Sequence, residues 1–385
     1  MQNITFQIPK RVELGFSRSK ELGQIVQEMN SSTLLIVVDY NLMRLGLVDG
    51  VLDNLKNIGI EYSIFDDIKG EPTIREIDQA IKKMNIGQYD GVVGIGGGSA
   101  LDTAKLFAVA GNINDSIREY IGEKIIKPGL PTIMIPTTSG TGSEATPNSI
   151  VKDEENDIKI GLIGPALIPE IVILDPELTL SLPAKVTAET GIDAFTHAIE
   201  CFICNKANDM SNLYALEAIH LISKYLVEAV KNGSNKKARY NMLLGSFYGG
   251  VAITNSGTGA VHALAYPLGG KYGVAHGLSN SILLADVMEY NAKAVPEKFV
   301  KVAEMMELKT NGLSKERIVD LVVDKIRNLT IEAGIKVGSL NIGGDDIVDL
   351  ANSALTVQRL LKNNPRPIEF EDAKGIYEKV FLENT

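Results

Sequence analysis

Strand and helix patterns alternate along the first half of this chain and then stop alternating, and that switch restricts the fold more than any other feature of the sequence. Six runs rich in β-branched residues stand out: TLLIVVD (33–39), IEYSIF (60–65), GVVGIG (91–96), TIMIPTT (132–138), IKIGLIG (158–164) and IVILD (171–175). Helical patterns through 41–57, 73–84 and about 100–110 separate the first four of them. Strands joined through helices need crossover connections, which predicts an α/β domain with a mainly parallel sheet. After LDPELTLSLP (174–183) the strand signals cease. From there Leu213, Leu216, Ile219, Ile222 and Leu226, and later Ile318, Leu321, Val322 and Ile326, recur at helical spacing. The expected organisation is an α/β domain over 1–184 followed by an all-helical domain over 185–385.

Both halves are long enough to bury a core, and 45% hydrophobic with 22% charged residues is the balance of a soluble globular protein. Net charge is −10 and no basic run is dense enough to follow a phosphate backbone, so nucleic acid is not an expected partner. MQNITFQIPKRVELG lacks the order of a signal peptide, and no uninterrupted apolar stretch approaches the ~18 residues of a membrane span. A cytoplasmic protein is expected. The two cysteines form a C-x-x-C in AIECFICN. No second pair exists to complete a zinc knuckle, and the motif ends a helix pattern where a redox site would open one, so Cys201 and Cys204 read as small buried hydrophobes.

The chain owns four histidines, and three of them fall with Asp193 into a metal-like spacing. Asp193 and His197 stand four apart in GIDAFTHAIE, where Ile192, Phe195, Ile199 and Phe202 recur at helical spacing, so the two polar side chains share a helix face. His262 and His276 lie fourteen apart in HALAYPLGGKYGVAH, each placed near a helix edge by Pro267 and the glycine pair. Three imidazoles and one carboxylate suit Fe(II) or Zn(II) rather than calcium or magnesium. Taken singly, each residue is as well explained as an ordinary polar group; the set of four is what points to a metal. The fourth histidine, His220, sits between apolar residues in LYALEAIHLISKYL and reads as structural.

A phosphate cradle is the second candidate site. GVVGIGGGSALDTAK places Gly96, Gly97, Gly98 and Ser99 between a buried strand and a helix, where bare backbone approaches a pyrophosphate and the helix N-terminus favours its charge. The run is not the usual G-x-G-x-x-G fingerprint, and a tight turn is its plainer reading. Asp102, in the following helix, is counted with the cofactor contacts. Asp39 ends the strand TLLIVVD, where a carboxylate can bond the adenosine ribose and repel a 2′-phosphate, which favours NAD over NADP. PTTSGTGSEAT (136–146) offers Thr137, Thr138 and Thr141 for cofactor contacts, or forms a generic Ser/Thr turn.

These residues resemble one family: GGGSALDTAK, PTTSGTGSEAT, LPAKVTAETGIDAFTHAIE, GAVHALAYPLGG, HGLSN and NNPRPIEFEDAKGIYE look, in order, like motifs of the iron-containing, group III alcohol dehydrogenases. The likeness spans nearly the whole chain. It implies a dehydroquinate-synthase-like architecture, an N-terminal NAD(P)-binding domain and a helical metal-binding domain. By position, Asp193, His197, His262 and His276 resemble the metal ligands, Gly97, Gly98 and Ser99 the pyrophosphate contacts, and Asp39 the NAD-selecting acid. Thr137, Thr138 and Lys159 resemble further nucleotide contacts, although Lys159 also reads as a solvated strand charge.

One departure stands out. Many members have a histidine four residues after the third ligand, credited with proton handling, where this chain has Tyr266, left with at most an orienting role. Thr146, Asn148, Thr254, Asn255 and Thr258 are expected to line the substrate end, a polar set suited to a short hydroxylated alcohol or aldehyde. The expected reaction is hydride transfer between NAD(H) and a small alcohol/aldehyde pair, by a homo-oligomer. The competing readings are a dehydroquinate-synthase-like lyase, a glycerol-dehydrogenase-like polyol oxidoreductase and a nucleotide-binding domain without catalysis.

Overall fold

The computed structural model describes residues 3–383 apart from 69, 114, 126, 157, 337–339 and 341. Ile8–Ser181 forms one compact unit, and the chain from Leu182 onward forms the other together with the N-terminal residues up to Gln7.

The first unit is built on a six-stranded sheet: β1 (Arg11–Leu14), β2 (Thr33–Val38), β3 (Glu61–Phe65), β4 (Gly91–Gly96), β5 (Thr132–Pro136) and β8 (Ile171–Leu174), all parallel, in the order β1-β8-β5-β4-β2-β3. Its helices are α1 (Leu22–Glu28), α2 (Tyr40–Arg44), α3 (Asp49–Ile58), α4 (Ile74–Met84) and α5 (Gly98–Val109). Leu34, Ile36, Val38, Val93 and Ile95 pack against residues of α1 and α3, while Leu35, Val37, Val92 and Met134 pack against α4 and α5. Both faces of the sheet are therefore covered, which is why its central strands read as unbroken apolar runs. The chain leaves β2 for β3 on one side and returns on the other side as β4. That reversal opens a crevice at the carboxyl ends of β2 and β4, the usual ligand position in such sheets.

Three expectations change here. The helical pattern through 41–57 is two helices, α2 and α3, because Gly46 takes a left-handed turn (φ 65°) between them. IKIGLIG does not join the parallel sheet: β7 (Ile158–Ile163) pairs antiparallel with β6 (Asn148–Asp153) in a separate hairpin. The N-terminal residues do not belong with the α/β unit. Both the N–H and the C=O of Gln7 bond the Asn255 side chain at 2.8 Å, and Phe6 stacks on Tyr214.

In the helical unit α6 (Ala184–Ile203) packs against α7 (Asp209–Lys231), α8 (Lys236–Asn255) and α10 (His276–Ala292), with α9 (Ala260–Tyr272) lying beside α10. Further helices follow between Pro296 and Glu378. All residues of α6 from Gly191 to Ile203 are buried, the polar Asp193, His197 and Glu200 included. Polar groups so placed are tolerated only with partners, and those partners define the site.

Candidate metal centre and nucleotide loop

Asp193 and His197 rise from one face of α6 as their spacing requires. His262 is the third residue of α9, and His276 the first of α10. Pro267 does not end a helix as expected; α9 runs through it and stops where Gly273 turns left-handed (φ 64°). Gly277 is what lets α10 reach α6, because a Cβ there would lie 2.4 Å from the carbonyl oxygen of Glu189. The three Nε2 atoms of His197, His262 and His276 stand 3.8, 3.9 and 3.7 Å from Asp193 Oδ1.

All four donor atoms lie within 4.8 Å of one another. Metal bonds of about 2.1 Å in a tetrahedral shell set donors ~3.4 Å apart, so the cluster is close to the size a Zn(II) or Fe(II) ion draws together. Burial pushes the Asp193 carboxyl up, but the imidazoles of His197, His276 and His262 and the Asn280 amide outweigh it and hold the group below its ordinary value. It is an ionised oxygen donor facing three nitrogen donors, which fits a borderline divalent cation.

Two residues that the sequence reading passed over surround this cluster. Glu200 Oε2 lies 2.5 Å from His262 Nδ1, and its Oε1 accepts from the Val261 N–H at 2.6 Å. Asn280 Nδ2 donates to Asp193 Oδ1 at 2.7 Å. Their signal was present, since Glu200 is seven residues after Asp193 and Asn280 four after His276, both helical returns to the ligand-bearing face. His220 lies apart from the cluster, its Nδ1 3.0 Å from the carbonyl of Met305. The Tyr266 ring is 6.2 Å from that of His276. Cys201 and Cys204 are buried free thiols, pushed up by burial.

In the α/β unit the glycine loop and Asp39 meet at the β2/β4 crevice. The Asp39 N–H bonds the carbonyl of Ile95, and Gly96 (φ 154°) passes so close that a Cβ would lie 2.7 Å from that of Ala100 and 3.3 Å from that of Asp39. Gly98 and Ser99 open α5. The second loop folds onto the first: the Thr137 N–H bonds the Gly96 carbonyl, Thr138 borders Gly97, and a Cβ on Gly98 would meet Thr141.

Five of the expected contacts, Asp102, Lys159, Asn255, Thr254 and Thr146, have side chains that are otherwise engaged. Asp102 is buried, accepting from Ser143 Oγ at 2.5 Å and the Ile150 N–H at 2.8 Å, so it ties the second loop to α5 and does not face the crevice with its carboxylate free. Lys159 pairs with Glu71 at 2.7 Å. Both polar atoms of the Asn255 side chain hold Gln7, which removes it from a substrate role, and Thr254 Oγ1 bonds the Gly250 carbonyl. Thr146 and Asn148 are held by Lys105, whose Nζ lies 3.1 and 2.7 Å from their carbonyls and 3.2 Å from Thr146 Oγ1; the Thr258 carbonyl accepts from Asn363.

Lys105 looks like a helix-surface charge in sequence but is buried, with Asp102 3.6 Å away. Burial pushes Lys105 down and Asp102 up. Glu144 completes this cluster: burial pushes its carboxyl up to about 7, and its Oε1 has no hydrogen-bond partner among the described residues. A carboxyl raised in the folded state favours folding while protonated. Its contribution is therefore lost as pH rises from the unfolded value near 4.5 through about 7, on the order of 3 kcal/mol in all. Glu144→Gln is expected to flatten this fall and to raise the melting temperature above pH 7. Melting curves from pH 4.5 to 8 that run parallel for the two proteins would refute it.

Comparison with known proteins matches nearly the whole chain to one family. A model of the iron-containing alcohol dehydrogenases matches residues 9–176, and one of the C-terminal part of the Fe-containing alcohol dehydrogenase family matches 187–381. Long-chain-alcohol dehydrogenase 1 of Geobacillus thermodenitrificans is 36% identical over 379 residues, covering 97% of this chain and 95% of that one. Among solved structures, a 1,3-propanediol oxidoreductase superposes with a TM-score of 0.95 at 32% identity, covering 99% and 100% of the two chains. Sulfoacetaldehyde reductase from Bifidobacterium kashiwanohense, solved in complex with NAD+, gives 0.90 at 29%, with the same coverage. With both halves matched and a donor cluster of one acid and three imidazoles, this chain belongs to the iron-containing alcohol dehydrogenase family and is an oxidoreductase acting on alcohols.

Proposed function

We propose that this protein interconverts a short, polar primary alcohol or diol and its aldehyde, exchanging hydride with NAD(H) in preference to NADP(H). The observation that carries the reading is the convergence of Asp193, His197, His262 and His276. These four would hold one divalent ion, Fe(II) or Zn(II), which when bound supplies Lewis acidity toward the substrate oxygen. The protein's own part is positioning. Gly96, Gly97 and Gly98 give a pyrophosphate close access to backbone N–H groups at the start of α5, where the helix dipole favours its charge. Asp39, beside that loop, would take the adenosine ribose hydroxyls. Thr137, Thr138 and Thr141 supply hydroxyls next to the same glycines.

With three histidines assigned to the ion and His220 bonded to a backbone carbonyl, no imidazole is left to carry the substrate proton. Tyr266 has at most an orienting part in that transfer. Asn148 in the α/β unit and Thr258 in the helical unit remain as polar candidates for substrate contacts. An acidic chain, with no described helix long and apolar enough to cross a membrane, agrees with a cytoplasmic enzyme. Exposed Ile4, Met210 and Leu213, near the Phe6–Tyr214 stack, offer apolar surface for a second copy, in line with a homo-oligomer.

The relatives span substrates from a long-chain alcohol to 1,3-propanediol and sulfoacetaldehyde in name, and none of these three names points to a lyase. The test is NADH oxidation by metal-loaded protein with a panel of aldehydes from two to ten carbons, with and without hydroxyl groups. Short hydroxylated aldehydes are expected to give kcat/KM about tenfold above long aliphatic ones, the effect of 1–3 kcal/mol in pocket matching. A preference rising with chain length would reject the substrate assignment.

A further inference from the structure

Glu200 does more than fill a buried position. The first turn of α9 begins at Gly259, which supplies no side-chain cap, so its free N–H groups need partners. Asn364 Oδ1 takes that of Ala260 at 3.2 Å and Glu200 Oε1 takes that of Val261 at 2.6 Å. The other oxygen of the same carboxylate, Oε2, lies 2.5 Å from His262 Nδ1, and the side chain is 1% exposed. Oε1 is committed as an acceptor to a backbone N–H, and the neighbouring oxygen pairs with the imidazole by accepting from it, the usual partnership of a carboxylate with a metal-binding imidazole. Its partner nitrogen on the imidazole must then carry the proton.

We propose that Glu200 is a positioning residue that locks His262 in the Nδ1–H tautomer and fixes its ring, so that Nε2, the nitrogen facing Asp193, keeps its lone pair for the metal. The proposal rests on the reading of Asp193, His197, His262 and His276 as ligands. Carboxylate-held imidazoles are more basic donors with less orientational freedom, which raises metal affinity. Because Glu200 and the ligands Asp193 and His197 share α6, the helix that supplies two donors also sets the proton on a third, across 62 residues of sequence.

Glu200→Gln separates this role from simple capping. Its amide oxygen still accepts from the Val261 N–H, but the amide nitrogen facing His262 Nδ1 is a donor, which favours the Nε2–H tautomer. The experiment measures Zn(II) affinity by chelator competition, together with nitrogen-15 spectra of protein labelled only in its four histidines. The expected result is affinity reduced about 10–100-fold and a His262 pattern shifted toward Nε2–H, with melting temperature little changed. Affinity within twofold of the parent and an unchanged His262 pattern would overturn the proposal. If the variant does not fold, the zinc-loaded parent decides: His262 must show Nδ1–H, and an Nε2–H pattern excludes the role. A parent protein that fails to bind Zn(II) at all would strike the four-ligand reading instead.

Discussion

Replacing Asp193 by alanine is expected to abolish metal retention and turnover together. The residue is the hub of the cluster, with all three Nε2 atoms 3.7–3.9 Å from its Oδ1 and no other carboxylate in the ligand set. Without it three imidazoles remain, and no donor in the set carries a negative charge to offset the ion's. The loss in affinity should exceed the roughly 10–100-fold that removing an outer partner costs. The fold should survive, because α6 is held by Ile192, Phe195, Ala198 and Ile199, which are fully buried among apolar neighbours. Elemental analysis, far-ultraviolet circular dichroism and NADH-linked activity on the same preparation check this. Full turnover in protein shown to hold no metal would contradict it.

The second large effect concerns the cofactor. Asp39→Gly is expected to raise the NADPH-to-NADH ratio of kcat/KM by about tenfold to a hundredfold, because with Asp39 at the adenosine ribose, as proposed, it removes a negative charge that would repel a 2′-phosphate. The variant is suited to the question. Asp39 also caps α2, its Oδ1 accepting from the Asn41 N–H at 2.8 Å, and glycine is a cap nearly as good, costing only a few tenths of a kcal/mol. A change in ratio therefore reads ribose recognition and not damage to the loop. A parent that already prefers NADPH, or a ratio that does not move, would remove Asp39 from this role.

What was legible in the sequence was whatever repeats locally. β2, β4 and β5 announce themselves as buried apolar runs, and the four-residue step from Asp193 to His197 fixes a shared helix face before any coordinates are known. What was not legible depends on contacts between distant residues. β6 became visible only through its antiparallel partner β7, and β1 is a four-residue edge strand that borrows its register from β8. Lys105 and Asp102 carry the charges of a solvated helix face, yet tertiary packing buries both against the 143–150 segment. Gln7 reads as ordinary N-terminal sequence, and its partner Asn255 stands 248 residues away. The Glu200–His262 bond combines both cases: the helical return to the ligand face was readable, the partner was not.

One divalent ion on Asp193, His197, His262 and His276 is proposed to be required for alcohol/aldehyde interconversion. The most direct measurement of this requirement is a titration of Fe(II) or Zn(II) into chelator-stripped protein under anaerobic conditions, with turnover of NADH and a short aldehyde followed at each addition. Activity is predicted to rise from near zero and to break at one equivalent of metal per chain, and the Asp193→Ala protein should show no such break. Activity that is already maximal in the stripped protein, or that rises without a break at one equivalent, would contradict the account.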